Sequence, residues 1–131
     1  MTIKELRLVV TADDYDEAVA FYRDALGMPE RESYATEGAH VTILEAGRAT
    51  LEIANPAQAD YIDEVEVGRR VAGKFRVALE VEDSTATTTK LAEAGATVIA
   101  EPTRTPWNSL NARLETPGGI QLTLFTELDL E

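Results

Sequence analysis

The stretch Arg76-Val77-Ala78-Leu79-Glu80-Val81-Glu82-Asp83 indicates how the chain is organised, because a similar stretch occurs near its start. The earlier copy is Arg7-Leu8-Val9-Val10-Thr11-Ala12-Asp13-Asp14. In both copies an arginine precedes a mostly apolar run, two acids close the run, and a segment with helical periodicity follows. A motif that occurs twice in the same surroundings predicts a chain built from two similar halves.

The first half is predicted to have the order βαβββ. Residues 6–12 are mostly apolar or β-branched, which is typical of a strand covered on both faces. Asp13 and Asp14 offer an N-cap for a following helix, which Gly27 is expected to end. Three further strands are predicted at 29–36, 39–46 and 49–54.

The second half repeats this order after residues 55–73, which lack a clear period and are predicted to connect the halves. A strand is expected at 75–81, followed by a helix at 84–94 with Ser84 as a plausible cap. Further strands are predicted at 97–100, 110–115 and 120–126, with Pro102 in a loop and Pro117-Gly118-Gly119 as a hairpin turn.

The predicted fold class is therefore α+β, with two tandem βαβββ modules forming a cupped mixed β-sheet and the helices outside. A single domain is expected over residues 1–131, with module 1 at about 4–54, a linker at about 55–73 and module 2 at about 74–127. Each module alone buries little, so a shared sheet is favoured. The concave side of such a sheet is where a ligand is expected.

Composition excludes several classes of function. The net charge of -12 argues against binding to nucleic acid or anionic membranes, since both require clustered basic residues. The absence of cysteine removes disulfides, zinc fingers and cysteine nucleophiles. No signal peptide is evident, and no window approaches the roughly 20 apolar residues of a membrane span. A soluble protein in the cytoplasm is the expectation.

Several motifs resemble the vicinal oxygen chelate superfamily, which includes glyoxalase I, extradiol dioxygenases and bleomycin-resistance proteins. The resemblance covers nearly the whole chain and is closest in character to the metal-free bleomycin-resistance-like branch. It is based on the following stretches: Asp14-Tyr15, Ala20-Phe21-Tyr22-Arg23-Asp24-Ala25-Leu26-Gly27, Leu51-Glu52-Ile53, 76–83 and Thr116-Pro117-Gly118-Gly119-Ile120-Gln121-Leu122-Thr123-Leu124.

The resemblance implies four metal-ligand positions, which fall on Arg7, Glu52, Arg76 and Thr123. Arginine stays protonated and has only hydrogen-bond donors, so it cannot coordinate a divalent cation. No metal and no other cofactor is therefore expected. If the family geometry holds, Arg7 and Arg76 flank Glu52 in the cavity. Such a triad either holds the halves together or receives an anionic or carbonyl group of a ligand.

Other candidate site residues have alternative roles that the sequence leaves open. Glu80 is a weak candidate for a general base or a partner for an arginine. His40, the only histidine, is expected at the rim of a cavity or facing solvent. Trp107 is suited to stacking on a planar ligand, or to the core or a dimer interface. Asn111 and Arg113 line a cavity if their strand face points inward.

Three functions follow from these candidates. The leading prediction is metal-independent binding of a small, partly planar organic molecule, as in antibiotic-sequestering members of the family. The alternative is a lyase, isomerase or dioxygenase of the same superfamily, with Glu52 or Glu80 moving a proton. A third is a degenerate domain whose cup is shallow or filled and which serves protein association. The resemblance also implies a homodimer.

Overall fold

A computed structural model describes residues 4–50, 52 and 54–129. The chain divides into two compact units, Met1–Ile53 and Ala54–Glu131. The α+β class predicted from the sequence is confirmed, since both units combine helices with antiparallel strands. No helix within the described ranges is long and apolar enough to cross a membrane.

The first unit contains one helical segment and one hairpin. Helix α1 covers Tyr15–Val19 and continues as a π-helical turn over Ala20–Ala25, in which Phe21 is buried. Its N-cap is Asp14, whose side chain accepts a hydrogen bond from the Glu17 amide at 3.0 Å, as the sequence predicted. Strands β1 (Glu30–Thr36) and β2 (Ala39–Leu44) pair antiparallel.

Two strands predicted for the first unit are not formed as expected. Residues 6–12 have no regular structure, and Val9 is 86% exposed rather than covered on both faces. In the segment 49–54, the described residues Ala49, Thr50, Glu52 and Ala54 are not in a strand, and Leu51 and Ile53 lie outside the described residues. An apolar run predicts a strand only where a neighbouring strand accepts its hydrogen bonds.

The second unit follows the predicted βαβββ order, preceded by a helix that the sequence did not predict. Its strands form one sheet in the order β3-β6-β5-β4, with β3 parallel to β6 and the other pairs antiparallel. The elements are α2 (Pro56–Glu66), β3 (Val77–Glu80), α3 (Ser84–Glu93), β4 (Thr97–Arg104), β5 (Ser109–Glu115) and β6 (Gln121–Glu127).

Three local predictions for this unit are corrected by the structure. Residues 56–66 of the predicted connection form α2, because Asn55 caps the Gln58 amide at 2.9 Å and Pro56 occupies the first turn. Helix α3 is capped by Asp83 rather than Ser84, which lies inside the helix. Pro102 lies within β4 and not in a loop, at a point where the pairing register slips.

The two faces of this sheet differ in chemistry because side chains alternate along each strand. One face carries the buried apolar residues of β5 and β6 and packs against α3, where Leu91 is fully buried. The opposite face is polar and packs against α2. The buried apolar side chains of the first face are Ala112, Leu114, Leu122 and Leu124.

Candidate ligand-binding site

The polar face of the second unit is centred on Arg113 of β5, whose side chain is 0% exposed. Two carboxylates of α2 bind its guanidinium group. The Arg113 Nη1 atom donates to Asp63 Oδ1 at 2.9 Å, and Nη2 donates to Glu66 Oε1 at 3.0 Å. Because a buried charge is tolerated only when it is paired, these contacts are what allows an arginine in this position.

Glu66 is also bound by two neutral side chains of the sheet. Asn111 Nδ2 donates to Glu66 Oε2 at 2.8 Å, and the Thr123 hydroxyl donates to Oε1 at 2.9 Å. Thr123 in turn accepts a hydrogen bond from Arg76 Nη1 at 2.7 Å. Both oxygens of one carboxylate are therefore bound by donors from β5 and β6, and a second guanidinium lies one hydroxyl away.

Asp63 is held in its ionised form by several hydrogen bonds. Burial alone would raise the pKa of Asp63. The backbone amides of Ala72 and Val71, which donate to Oδ2 at 2.9 and 2.8 Å, and the Arg113 guanidinium outweigh that effect, so the pKa lies below its ordinary value. Arg70 adds a weaker contact to the same carboxylate at 3.3 Å.

An aromatic pair is exposed on the second unit. The ring centroids of Tyr61, on α2, and Trp107, in the turn between β4 and β5, are 6.1 Å apart with an interplanar angle of 52°. Tyr61 is 47% exposed and Trp107 is 42% exposed. The next residue, Asn108, has a φ of 65°, a left-handed conformation that asparagine tolerates better than most side chains. Its Nδ2 donates to the Leu128 carbonyl at 3.1 Å, which fixes the turn.

The structure brings together some of the residues predicted as site residues. Arg76, Arg113 and Thr123 lie in one hydrogen-bonded group, and Asn111 joins it through Glu66. Trp107 is exposed on the same unit. Asn111 and Arg113 are both buried against α2, and the prediction that they line a cavity stays a prediction.

Three other predicted site residues, Arg7, Glu52 and His40, belong to the first unit. Arg7 is exposed and pairs with Glu5, and Glu52 is exposed. The triad of Arg7, Glu52 and Arg76 stays a prediction. His40 is exposed, with its ring 5.6 Å from that of Tyr15, and it lines an acidic hollow of about 650 Å³ in the first unit.

Glu80 is exposed on β3 and lines a separate hollow of about 400 Å³. Its neighbours in that hollow include Glu82 and Glu127, so the nearby charges are acidic rather than basic. These surroundings offer no arginine partner among the lining residues. Both proposed roles of Glu80, as a general base and as an arginine partner, stay predictions.

The residues present do not fit the metal that the family fold implies. Arg76 offers only donors and Thr123 a weakly coordinating hydroxyl, and their hydrogen bonds already link them to each other and to Glu66. Among the residues that the structure describes, no group of three or more His, Asp or Glu side chains is placed to hold a metal ion. The donor chemistry of these side chains therefore does not support a metal-dependent step at this position.

Asp63 and Glu66 were missed as site residues because they lie in the segment predicted as a connection. The signal that finds them is the pair Asn55-Pro56, an N-cap followed by proline in the first helical turn. A helix beginning there places Asp63 and Glu66 three residues apart on one face. Buried acids on a helix do not produce the apolar period by which helices are usually predicted.

Comparison with known proteins agrees with this architecture. The family model described as Glyoxalase/Bleomycin resistance protein/Dioxygenase superfamily matches residues 6–124. The chain belongs to this superfamily, and the resemblance noted in its sequence is confirmed at that level. No curated protein is significantly similar to the chain.

Solved structures show the same fold at low sequence identity. A hypothetical protein from S. aureus is 16% identical with a TM-score of 0.59, and the match covers 96% of this chain and 95% of that one. Lactoylglutathione lyase from Agrobacterium tumefaciens is 20% identical with a TM-score of 0.56, covering 95% of both chains. A glyoxalase-related enzyme from Fulvimarina pelagi is 15% identical with a TM-score of 0.57, covering 95% and 89%. At these identities the similarity shows the fold alone.

Proposed function

We propose that this protein binds a small, partly planar organic molecule without using a metal ion. The observation that carries the proposal is the exposed pair of Tyr61 and Trp107, which presents two aromatic rings 6.1 Å apart to solvent. Each half-exposed ring provides a flat apolar face with little conformational entropy to lose on binding, and the two rings are inclined at 52°. A planar ligand is the class that such a surface recognises best.

Polar orientation of the ligand is assigned to the arginines of the site. Arg76 donates to the Thr123 hydroxyl, so the second unit provides a guanidinium group at a position where metal-binding relatives are expected to have a ligand, and Arg113 lies on the other side of the same hydroxyl. Binding without chemistry suits sequestration of a toxic compound such as an antibiotic, the role of the metal-free branch that the sequence resembles.

An enzyme of the same superfamily is the second candidate. It is favoured by the fold shared with a structure named lactoylglutathione lyase. Without a metal, proton transfer would depend on Glu52 or Glu80, and both are exposed. This geometry favours binding over catalysis.

Intrinsic fluorescence offers a direct test, because Trp107 is the only tryptophan. Quinoline, a neutral planar probe, is titrated into the protein in buffer containing EDTA. Saturable quenching is expected in the wild type, with the dissociation constant raised about three- to tenfold in Tyr61→Ala through loss of one ring. Tyr34→Ala, which removes an exposed tyrosine of β1 in the first unit, is the matched control and should bind as the wild type does.

Two results would count against the proposal. Quenching that rises linearly with quinoline and is equal in Tyr61→Ala would show collisions with an exposed ring rather than a binding site. Binding lost on adding EDTA would show dependence on a metal. The first result would make a protein-association domain the better description of the chain, and the second would favour a metal-dependent member of the superfamily.

A further inference from the structure

We propose that Ser109 and Asn111 are positioning residues of the planar-ligand site, because a buried line of hydrogen bonds through them fixes the two aromatic rings relative to each other. We call this line the hydroxyl–amide relay; it consists of Thr105, Ser109, Asn111 and Glu66. This role rests on the proposed function, since the aromatic pair is the surface that a planar ligand would contact.

The two rings belong to different elements, so local backbone geometry does not fix their spacing. Tyr61 is on α2, whereas Trp107 is in the turn between β4 and β5. Neither ring is buried by its neighbours, since Tyr61 is 47% exposed and Trp107 is 42% exposed. The supports beneath the rings therefore decide whether their separation of 6.1 Å stays constant.

At the turn, the relay begins inside the loop that contains Trp107. The Thr105 hydroxyl accepts from the Ser109 amide at 3.1 Å and lies 2.8 Å from the Ser109 hydroxyl. The Thr105 amide donates to the Ser109 carbonyl at 2.8 Å, and the Asn108 amide donates to the Thr105 carbonyl at 3.1 Å. Thr105 and Ser109 are both buried, so water does not compete for these bonds. The loop is closed on both sides of the tryptophan.

At its other end, the relay reaches α2 through one amide group. The Ser109 hydroxyl donates to Asn111 Oδ1 at 2.6 Å, and Asn111 Nδ2 donates to Glu66 Oε2 at 2.8 Å. The oxygen of the amide therefore points towards the turn and its nitrogen towards the helix. An amide offers an acceptor and donors on one planar group, a combination that an ionised carboxylate lacks. Asn111 thus joins the loop of one ring to the helix of the other.

Helix α2 is held to the sheet by several contacts, so it is a fixed support for its tyrosine. Gln121 Nε2 of β6 donates to the carbonyl of Val71, just after the helix, at 2.6 Å. Ile62 and Val65 of the helix are half-buried, and two of its acids bind Arg113. With the turn and the helix both supported, the relay links them by hydrogen bonds beside the aromatic pair.

Loosening the relay is expected to weaken ligand binding without removing any contact with the ligand. Rings that move independently must be ordered when a planar molecule binds, and this ordering opposes the affinity. The relay orders them in advance. Ser109 and Asn111 are both buried and act on the ligand only through Tyr61 and Trp107.

The first test is Asn111→Asp, which keeps the shape of the side chain and places a carboxylate against Glu66. Two carboxylates at hydrogen-bond distance share a proton, and that proton is lost as the pH rises. The other charged groups around Glu66 are Arg113 of β5 and Asp63 of α2, with Arg76 one hydroxyl away. The ratio of the quinoline dissociation constant of the variant to that of the wild type should rise about three- to tenfold between about pH 6 and about pH 9.

Ser109→Ala gives a second test, which decides the matter if Asn111→Asp does not fold. It removes the hydroxyl in the middle of the relay. The dissociation constant of quinoline should rise about three- to tenfold, and the fluorescence anisotropy of Trp107 should fall in the ligand-free protein.

The matched control is Ser84→Ala, which removes another fully buried serine hydroxyl of the same unit. The Ser84 hydroxyl donates to the Leu110 carbonyl at 2.9 Å, on α3 and away from the relay. This variant should lower the Tm about as much as Ser109→Ala does, because each loses one buried hydrogen bond. It should leave quinoline binding and the anisotropy of the tryptophan unchanged.

Equal quinoline binding and equal anisotropy in Ser109→Ala and Ser84→Ala would overturn the inference, as would a pH-independent ratio in folded Asn111→Asp. The wild type separates these results from failure of the proposed function. If it binds quinoline saturably and both serine variants bind equally well, planar-ligand binding stands and the relay is only structural. If it does not bind quinoline but the anisotropy falls in Ser109→Ala alone, the relay positions the rings and the planar-ligand proposal is wrong.

Discussion

Arg113 is a charged residue in the interior of a small protein, and its cost is offset only by the acids facing it. The guanidinium makes hydrogen bonds to Asp63, Glu66, Gln121 and Thr123 at 2.9 to 3.2 Å. Replacing such a group by an apolar side chain would leave Glu66 buried without its paired guanidinium and Asp63 with only the 3.3 Å contact to Arg70, which typically costs several kcal/mol. At the scale of single residues, the site and the stability of the second unit are therefore linked.

The low pKa of Asp63 gives a pH-dependent contribution to stability. Because the folded-state pKa lies below the unfolded value of about 3.9, the stabilisation is fully present above about pH 5 and is lost as the pH falls through the folded-state pKa. Asp63→Asn is expected to lower the free energy of unfolding by about 2–4 kcal/mol at pH 7. The difference from the wild type should shrink steadily below pH 4, as measured by urea unfolding.

Asp24→Asn provides the control for this measurement. Asp24 pairs with Arg23 at 2.9 Å on the surface, and its side chain is 61% exposed. Solvent screens such a pair, so the variant should unfold almost as the wild type does at every pH. A gap between Asp63→Asn and the wild type that stayed constant down to pH 2 would show that the carboxylate charge is not what stabilises α2.

The sequence identified the donors of this site and missed its acceptors. Arg113 and Asn111 alternate on a strand, a period of two that places both on one face, and Arg76 was located through the repeated stretch. Asp63 and Glu66 could not be identified in the same way, because acidic residues on a helix are normally exposed. The positive charge and the hydrogen-bond donors facing them make their burial favourable, and the contacts with Arg113 span 47 to 50 residues along the chain.

At the scale of elements, the start of helix α3 depends on one capping side chain, so its contribution to stability can be measured by single substitutions. The Asp83 side chain accepts from the Ala86 amide at 3.0 Å. Asp83→Ala should therefore lower the free energy of unfolding by about 1 kcal/mol, whereas Asp83→Asn, which preserves the acceptor, should cost only a few tenths. Urea unfolding of both variants measures the difference. Equal losses in the two would mean that charge, and not the cap hydrogen bond, is responsible.

Ser84, the cap expected from the sequence, has another role. Its hydroxyl donates to the Leu110 carbonyl at 2.9 Å, and its amide donates to the Thr126 hydroxyl at 2.8 Å. These contacts attach the start of α3 to β5 and β6. Serine and aspartate are both good caps, so the sequence alone could not decide between adjacent candidates; the packing of the helix on the sheet decides.

The pairing of strands was the feature of the fold that the sequence predicted least reliably. The segments predicted as β1 and β2 were correct to within two residues, because a short turn brings the partners together. Residues 6–12 have the same strand-like composition but no such neighbour in the chain. Local sequence therefore predicted this hairpin well, whereas a strand-like composition was not sufficient to predict the structure of residues 6–12.

At the scale of the whole molecule, that same segment supports the proposed homodimer. Leu6, Leu8, Val9 and Val10 are 43–86% exposed, and clustered apolar side chains in water favour association. Sedimentation velocity is expected to show a dimer that dissociates in Val9→Glu. Val41→Glu, which places the same charge on exposed β2, should remain dimeric. A wild type that sediments as a monomer at millimolar concentration would contradict the proposal.

Pro102 breaks the regular hydrogen bonding of β4, and this affects the association of copies of the protein at high concentration. β4 forms an edge of its sheet, and proline has no N–H to offer to an incoming strand. The register slip between Ala100 and Thr103 further breaks the regular ladder of hydrogen bonds there. Cross-β growth needs an uninterrupted template, so this edge is a poor template for fibril growth.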